Sequence, residues 1–157
     1  MDETDKKILS MLQKNGRASL KKIADETFLS SPAVSARIAR LEREAVITGY
    51  HASVNPAKLG CQIVAFISTA VTAASQPHFL REMEECLNVL ECSLVSGEYS
   101  VLMKAVFSNQ ADFDHFTEKL RRYGKTETQI VLSTPFIAEK IPFFAEKGKE
   151  EGEPFSA

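Results

Sequence analysis

Hydroxyl and guanidinium side chains recur along one short segment of this 157-residue chain, between residues 30 and 43. Serine hydroxyls can bond base edges and phosphates, and arginine offers a planar, permanently charged fork that suits phosphate. Small side chains among them would let a helix sink into the major groove of duplex DNA. The segment therefore predicts a DNA contact surface, formed by Ser30, Ser31, Ser35, Ala36, Arg37, Arg40 and Arg43.

The elements around that segment form a predicted helix-turn-helix at about residues 20–39. Ser19 is expected to cap the second helix of the chain and Ser31 the third. Pro32 is expected to open the third helix, because proline fits the first helical position without loss of a hydrogen bond. The apolar positions at helical spacing are expected to face inward; they are Val34, Ile38 and Leu41. Geometry then leaves the serines and arginines on the solvent side.

Charge is unevenly distributed along the chain. Residues 1–57 carry nine Lys and Arg against seven Asp and Glu, a net +2, and residues 58–157 carry ten against fourteen, a net −4, which together give −2. Global basicity therefore does not steer the chain to DNA, so a local basic face is needed.

The remaining composition excludes several classes of protein. The longest apolar run, residues 63–67, is too short to cross a bilayer. Three cysteines, Cys61, Cys86 and Cys92, lack the spacing of metal ligands and are expected to be reduced core thiols. We expect a cytoplasmic protein with no metal and no cofactor.

A strand-like stretch at residues 48–54 is expected to form a wing or linker strand, and the hydrophobic period changes after the turn at residues 55–60. Strands are expected at residues 62–72, 89–95, 101–107 and 126–134. One helix is expected to open at Ser75, and a second is expected to be capped by Ser108. The order βαββαβ predicts a ferredoxin-like α+β sandwich, with both helices on one face of an antiparallel sheet. Because the first strand is apolar on both faces, a second copy is expected to cover the bare face, giving a homodimer.

Three regions follow from these patterns. Residues 1–60 are a predicted winged helix-turn-helix DNA-binding domain, and residues 61–134 a predicted ligand-binding and dimerisation domain. Residues 135–157 begin with an apolar strip that we expect to dock on a neighbour, and end in a tail that we expect to be mobile. The strip consists of Phe136, Ile137, Ile141, Phe143 and Phe144.

A set of short motifs runs through the chain. They are Asp2-x-x-Asp5-x-x-Ile8-Leu9, Asn15-Gly16-Arg17, Leu29-Ser30, Val34-x-x-Arg37-Ile38-x-Arg40-Leu41-Glu42, Val46-Ile47-x-Gly49-Tyr50 and Ser96-Gly97-x-Tyr99. Together they resemble the Lrp/AsnC (leucine-responsive and asparagine-regulator) family of bacterial and archaeal transcription factors, over roughly residues 1–134. The resemblance implies double-stranded DNA as a partner, dimers that assemble into tetramers or octamers, and an amino-acid effector bound between subunits. The expected address is then the cytoplasm, in association with the nucleoid.

The resemblance also implies where the effector would bind. In the family, a loop of pattern Gly-Asp/Glu-Tyr/Phe-Asp lies near the effector pocket, and here it reads Gly97-Glu98-Tyr99-Ser100. Ser100 stands where the family has a carboxylate that could bind an amino-acid ammonium group, unless Glu98 compensates. Thr126 and Thr128 in the last strand are further candidates through their hydroxyls, although threonine is also a good strand former.

Two glycines of the family pattern are absent. Phe28 stands in the turn before Leu29-Ser30, and Ala45 follows the third helix. If the backbone needs a positive φ at Phe28, a bulky side chain there costs on the order of 1–2 kcal/mol.

Two other functions stay open beside transcriptional regulation. An architectural DNA-binding protein would keep the basic face and need no effector. An enzyme similar to the sirohaem decarboxylases would use histidines and arginines of the C-terminal part, where only His78 and His115 occur and no nucleophile–base pair is evident. We therefore assign no catalytic residue.

Overall fold

The computed structural model of the chain describes residues 1–137 and 141–143, and these divide into two units. The first unit contains residues 1–52 together with 136–137 and 141–143, and the second is Ser53–Pro135. The units thus separate at residue 52, eight residues before the predicted boundary at residue 60. Phe144 and the predicted mobile tail lie outside the described residues.

Three helices make up the first unit: α1 (Glu3–Lys14), α2 (Leu20–Thr27) and α3 (Ser31–Arg43). Ser19 caps α2 as predicted, since its side chain accepts the Lys22 N–H. The prediction that Ser31 caps α3 is wrong. Ser30 is the cap, because its extended backbone places its hydroxyl 3.3 Å from the N–H of Ala33.

The inward face of α3 is the predicted one. Val34 and Leu41 are fully buried, and Ile38 is half-buried against the cluster that Val34 forms with α1 and α2. The helix-turn-helix prediction is therefore confirmed, with an apolar core of Ile8, Ile23, Ala24 and Val34.

Both residues that replace family glycines have a left-handed backbone. Phe28 ends α2 at φ 56°, and Ala45 follows α3 at φ 54°. The condition for strain at Phe28 is thus met, and each position costs roughly 1–2 kcal/mol relative to glycine.

The segment predicted as a wing or linker strand forms no strand. Residues 48–54 have no regular secondary structure, because no other strand of the first unit is available among the described residues to pair with them. A 3-10 turn at Pro56–Leu59 follows, at the predicted turn.

The second unit has the predicted βαββαβ order. Its elements are β1 (Ile63–Thr69), α4 (Gln76–Glu84), β2 (Val89–Leu94), β3 (Val101–Phe107), α5 (Gln110–Arg121) and β4 (Thr126–Ile130). The sheet is antiparallel in the order β2-β3-β1-β4, which confirms the ferredoxin-like fold. Strand β1 ends at Thr69 rather than residue 72, since its pairing with β3 ends opposite Val101. Asn109, not Ser108, caps α5, because its side chain accepts the Asp112 N–H.

One face of the sheet carries the core. Ala65 and Ile67 pair with Ala105 and Met103, and all four are fully buried. Helices α4 and α5 cover them with Phe79, Met83, Phe113, Phe116 and Leu120. The opposite face carries Val64, Phe66 and Ser68 of β1, and Phe66 is 39% exposed there.

The three cysteines are free thiols, but they are not all in the core. Cys86 packs against the core of the second unit, whereas Cys92 is exposed on the edge strand β2, so the prediction of a core thiol is wrong there. In the described part of the chain, no helix is long and apolar enough to span a bilayer. Nor do residues 1–137 and 141–143 bring together three metal-ligating side chains.

Candidate nucleic-acid interface and ligand loop

Most of the exposed side chains of α3 are small. Pro32, Ser35, Ala36 and Ala39 are exposed along one stripe, and Arg43 and Glu42, whose carboxylate accepts the Tyr50 hydroxyl, are exposed at the end of the helix. Spacings of three and four residues place these positions on one face of the helix. Because the stripe is narrow and has few long side chains, a duplex could approach the helix closely along it.

The three arginines of α3 have different surroundings. Arg43 is exposed and has no ion pair among the described residues. Arg37 Nη1 lies 2.6 Å from Asp2 Oδ2 and 2.7 Å from Asp5 Oδ1. Arg40 Nη2 lies 2.5 Å from the other Asp5 oxygen. Two of the three guanidiniums are therefore held by carboxylates at the start of α1.

These carboxylates also cap α1. Asp2 accepts the backbone N–H of Asp5, and Asp5 accepts that of Asp2, which forms a reciprocal capping box. The Asp5 N–H bond and the Arg37 guanidinium lower the pKa of Asp2 to about 2. Burial alone would raise the pKa of Asp5, but the Asp2 N–H and Arg37 outweigh it and the pKa is lowered. Both groups therefore stay ionised, and they fix α1 against α3.

Only some of the residues predicted to contact DNA are exposed on the solvent face of α3. Ser35, Ala36 and Arg43 lie on the solvent face, Ser31 is half-buried, and the Ser30 hydroxyl is occupied by the cap. DNA contact by Arg37 and Arg40 stays a prediction, and the sequence reading did not anticipate their carboxylate partners. The spacing Asp2-x-x-Asp5 was available as a signal, since such a pair at a helix start can bind cations from another helix.

Other residues near this surface were missed. Ala39 continues the small-residue stripe, three positions after Ala36. Arg17, Lys21 and Lys22 are exposed around the start of α2, and none has an ion pair among the described residues. Their signal was the Ser19 cap, because the N-terminus of a helix attracts anions.

The predicted effector loop lies beside the start of β4. Lys125 Nζ is 2.5 Å from Glu98 Oε1 and 5.5 Å from the centre of the Tyr99 ring. The hydrogen bond that Lys125 donates to Glu98 is the main cause that raises the pKa of Lys125. Lys125 was not predicted, although it immediately precedes Thr126. An exposed anion and cation are thus paired within one loop cluster.

Ser100 has a structural bond of its own. Its hydroxyl accepts the Val71 N–H at 2.9 Å and donates to the Val71 carbonyl at 2.8 Å. The side chain therefore joins the loop to the end of β1. Nearby, a Cβ on Gly124 would lie 2.0 Å from the Ala70 carbonyl oxygen, so only glycine permits this close approach before Lys125.

The two threonines lie on the helix side of β4. Thr126 and Thr128 pair with Thr69 and Ile67, whose side chains are buried under the helices. The Thr126 hydroxyl donates to the Gly124 carbonyl at 3.2 Å. Gly97, at φ 119°, is exposed in the loop. Ligand contact by these three residues stays a prediction.

The two histidines of the second unit do not form a paired site. His78 Nδ1 lies 2.8 Å from the Tyr123 hydroxyl, which donates to Glu82. Lys119 and Arg122 also bind Glu82, each at 2.6 Å, so this network ties α4 to α5. His115 is exposed on α5.

Comparison with known protein families matches both units. Residues 1–42 match the AsnC-type helix-turn-helix domain, and residues 64–141 match the Lrp/AsnC ligand binding domain.

Individual relatives span nearly the whole chain. The uncharacterised HTH-type transcriptional regulator YezC of Bacillus subtilis is 34% identical over 85% of this chain and 95% of its own length. The HTH-type transcriptional regulator LrpA of the same organism is 32% identical over 84% of this chain and 98% of its own. A solved transcriptional regulator of Neisseria meningitidis, NMB0573 in complex with L-methionine, superposes with a TM-score of 0.82 at 26% identity, covering 90% of this chain and 96% of its own.

Proposed function

This chain belongs to the Lrp/AsnC family of helix-turn-helix transcriptional regulators, and we propose that it acts by laying the exposed face of α3 against double-stranded DNA. The observation that carries the proposal is the stripe of Pro32, Ser35, Ala36 and Ala39 that ends at Arg43. Small residues allow close approach to the groove, while the arginine supplies a cation at its end.

In this account the three arginines divide their roles. Arg43 binds a phosphate, because its guanidinium has no carboxylate partner among the described residues. Arg37 and Arg40 act mainly as positioning residues, since Asp2 and Asp5 already bind them. Arg17, Lys21 and Lys22 add phosphate contacts from the start of α2. Specificity is then modest per half-site, because few side chains are long enough to read bases bidentately.

The division of roles is tested by the salt dependence of DNA binding. A protein that loses one phosphate contact binds with a shallower slope of log K against log salt, by about 0.9 per bound copy. We expect that change for Arg43→Ala. We expect an unchanged slope for Arg37→Ala, with any loss of affinity arising from a displaced α3. Fluorescence anisotropy on the duplex upstream of the protein's own gene, between about 50 and 200 mM salt, measures both.

The reverse pattern would contradict this assignment. If Arg37→Ala flattens the slope while Arg43→Ala leaves it unchanged, the carboxylate-bound arginine is the phosphate ligand. Binding by the unaltered protein that is undetectable or insensitive to salt would contradict DNA regulation itself.

We further propose that the loop containing Glu98 binds an amino-acid effector. A free amino acid carries an ammonium and a carboxylate, and the Glu98–Lys125 pair offers one complementary charge to each. The ring of Tyr99 lies under the Lys125 ammonium and can pack against an apolar side chain of the effector. Gly97 leaves room, since nothing lies within 4 Å of the position of its absent Cβ. Thr126 and Thr128 stay candidates, whereas Ser100 serves the backbone of Val71.

Calorimetric titration with single amino acids, L-methionine included, tests the effector proposal. We expect binding of at least one, weakened about tenfold or more by Glu98→Gln, because a hydrogen bond to a charged group contributes about 1.5–3 kcal/mol. Glu85→Gln, an exposed glutamate at the end of α4, is the matched control and should bind as the unaltered protein does. Absence of heat from every amino acid would favour an architectural DNA-binding protein.

Assembly as a homodimer through the open face of the sheet completes the proposal. Phe66 is exposed there, 5.9 Å from the Lys104 ammonium, and Val64 and Leu102 flank it. A second copy would bury this mixed apolar surface. Tetramers or octamers and a cytoplasmic, nucleoid-associated address are proposed on the basis of family membership. Regulation rather than catalysis is favoured because the relatives are named transcriptional regulators.

A further inference from the structure

Phe28 combines an unfavourable backbone with an unused side chain. It ends α2 in the left-handed region, at φ 56° and ψ 37°, where glycine is the usual residue. The backbone is fixed by its neighbours: the N–H groups of Phe28 and Leu29 both bond the Ala24 carbonyl, and Leu29 packs against the core. Any residue at position 28 must therefore adopt this conformation.

The fold gains little from the phenyl ring. Phe28 is 93% exposed, although it is a large apolar side chain. The Lys7 ammonium lies 5.8 Å from the ring centre and itself donates to the Glu26 carbonyl. An exposed cation–π contact is weak and does not offset the strain. Strained residues that persist in this way concentrate at functional sites.

The position of the ring indicates its partner. Phe28 lies two residues before Ser30, the cap at the end of α3 that would lead into the groove. An apolar ring next to an ammonium group fits DNA, where thymine methyls and sugars lie beside phosphates. We propose that Phe28 is an additional DNA contact, with its ring against a thymine methyl or deoxyribose and Lys7 facing the adjacent phosphate. This inference rests on the proposed function.

Replacement of Phe28 by glycine separates strain from contact, because the two effects have opposite directions. We expect Phe28→Gly to slow hydrogen exchange of the α2 and α3 amides about fivefold, since the strain is relieved. We expect DNA affinity to fall about tenfold, since the ring is lost. Ala45→Gly is the matched control, because it relieves the backbone strain of a left-handed residue, at φ 54°, in the same unit and removes no aromatic ring. It should slow exchange and leave DNA affinity unchanged.

Phe28→Ala completes the test, because alanine keeps the strain and lacks the ring. It should bind DNA as weakly as Phe28→Gly without slower exchange. DNA affinity unchanged in Phe28→Gly, while Ala36→Glu on the face of α3 abolishes binding, would overturn the inference and leave the proposed function standing. Faster exchange in Phe28→Gly would also overturn it, since the ring would then be structural. Failure of the unaltered protein to bind DNA would overturn both.

Discussion

Asp5→Asn is expected to destabilise the first unit by about 2–3 kcal/mol. Asp5 is fully buried, and its two oxygens accept bonds from Arg37, Arg40 and the Asp2 N–H. Asparagine has one acceptor oxygen, so its amide group would face a guanidinium and leave either Arg37 with Asp2 alone or Arg40 with only Glu44, at 3.9 Å. Loss of one partner of a fully buried ion pair costs about 3–5 kcal/mol, and the partial exposure of both arginines reduces that value.

Hydrogen exchange on peptides from α1 and α3 measures this loss directly, because it reports the first unit separately from the second. Asp25→Asn is the matched control, since Asp25 is exposed on α2 and has no ion pair among residues 1–137 and 141–143. Equal protection of the two variants would show that the Asp5 network does not hold α1 against α3.

The same network makes the stability of the first unit depend on pH in the acid range. The folded pKa values of Asp2 and Asp5 are both lowered, that of Asp2 to about 2, against about 4 in the unfolded chain. Their stabilisation is therefore present above about pH 4 and is lost as the pH falls towards 2. Asp5→Asn should lose less stability over this range, since only one of the two carboxyls still titrates.

Sequence patterns predicted the architecture because it depends on periodicity. Val34, Ile38 and Leu41 recur at helical spacing, and each faces the core of the first unit. The change of hydrophobic period after residue 60 predicted the four strands of the second unit. Strand β3 was predicted with its observed bounds, Val101–Phe107, whereas β4 ends at Ile130, four residues before its predicted end. The glycine missing at position 28 indicated where strain would arise if the turn needs a positive φ, and Phe28 has such a φ.

Periodicity does not predict the ion pairs of the arginines, because these are contacts between residues that are distant in the sequence. Arg37 and Asp2 are 35 positions apart, and only the packing of α1 on α3 brings them together. Helical spacing predicts which side of α3 carries Arg37. It does not predict that the start of α1 packs against that side. Ser100 and Lys125 illustrate the same limit, since their partners Val71 and Glu98 belong to other segments.

The wing was overpredicted for a related reason. Residues 48–54 have a strand-like composition, but a strand exists only where another strand pairs with it. No such partner lies in the first unit among the described residues. Local composition therefore indicates an extended segment and leaves the pairing undecided.

Ala36→Glu tests whether the exposed face of α3 meets DNA. Ala36 lies in the middle of the small-residue stripe, between Pro32 and Ala39. Glutamate is a good helix former, so the fold should lose less than about 0.5 kcal/mol. A carboxylate pressed against phosphates costs several kcal/mol, and about 2.7 kcal/mol already weakens binding a hundredfold.

The decisive measurement is the DNA affinity of Ala36→Glu beside that of Ala73→Glu at one salt concentration. Ala73 is exposed in the turn before α4, so both variants carry the same net charge and any general repulsion cancels. The proposed interface predicts binding about a hundredfold weaker for Ala36→Glu than for Ala73→Glu. Equal affinities for the two variants would contradict it, because the face of α3 would then not touch the duplex.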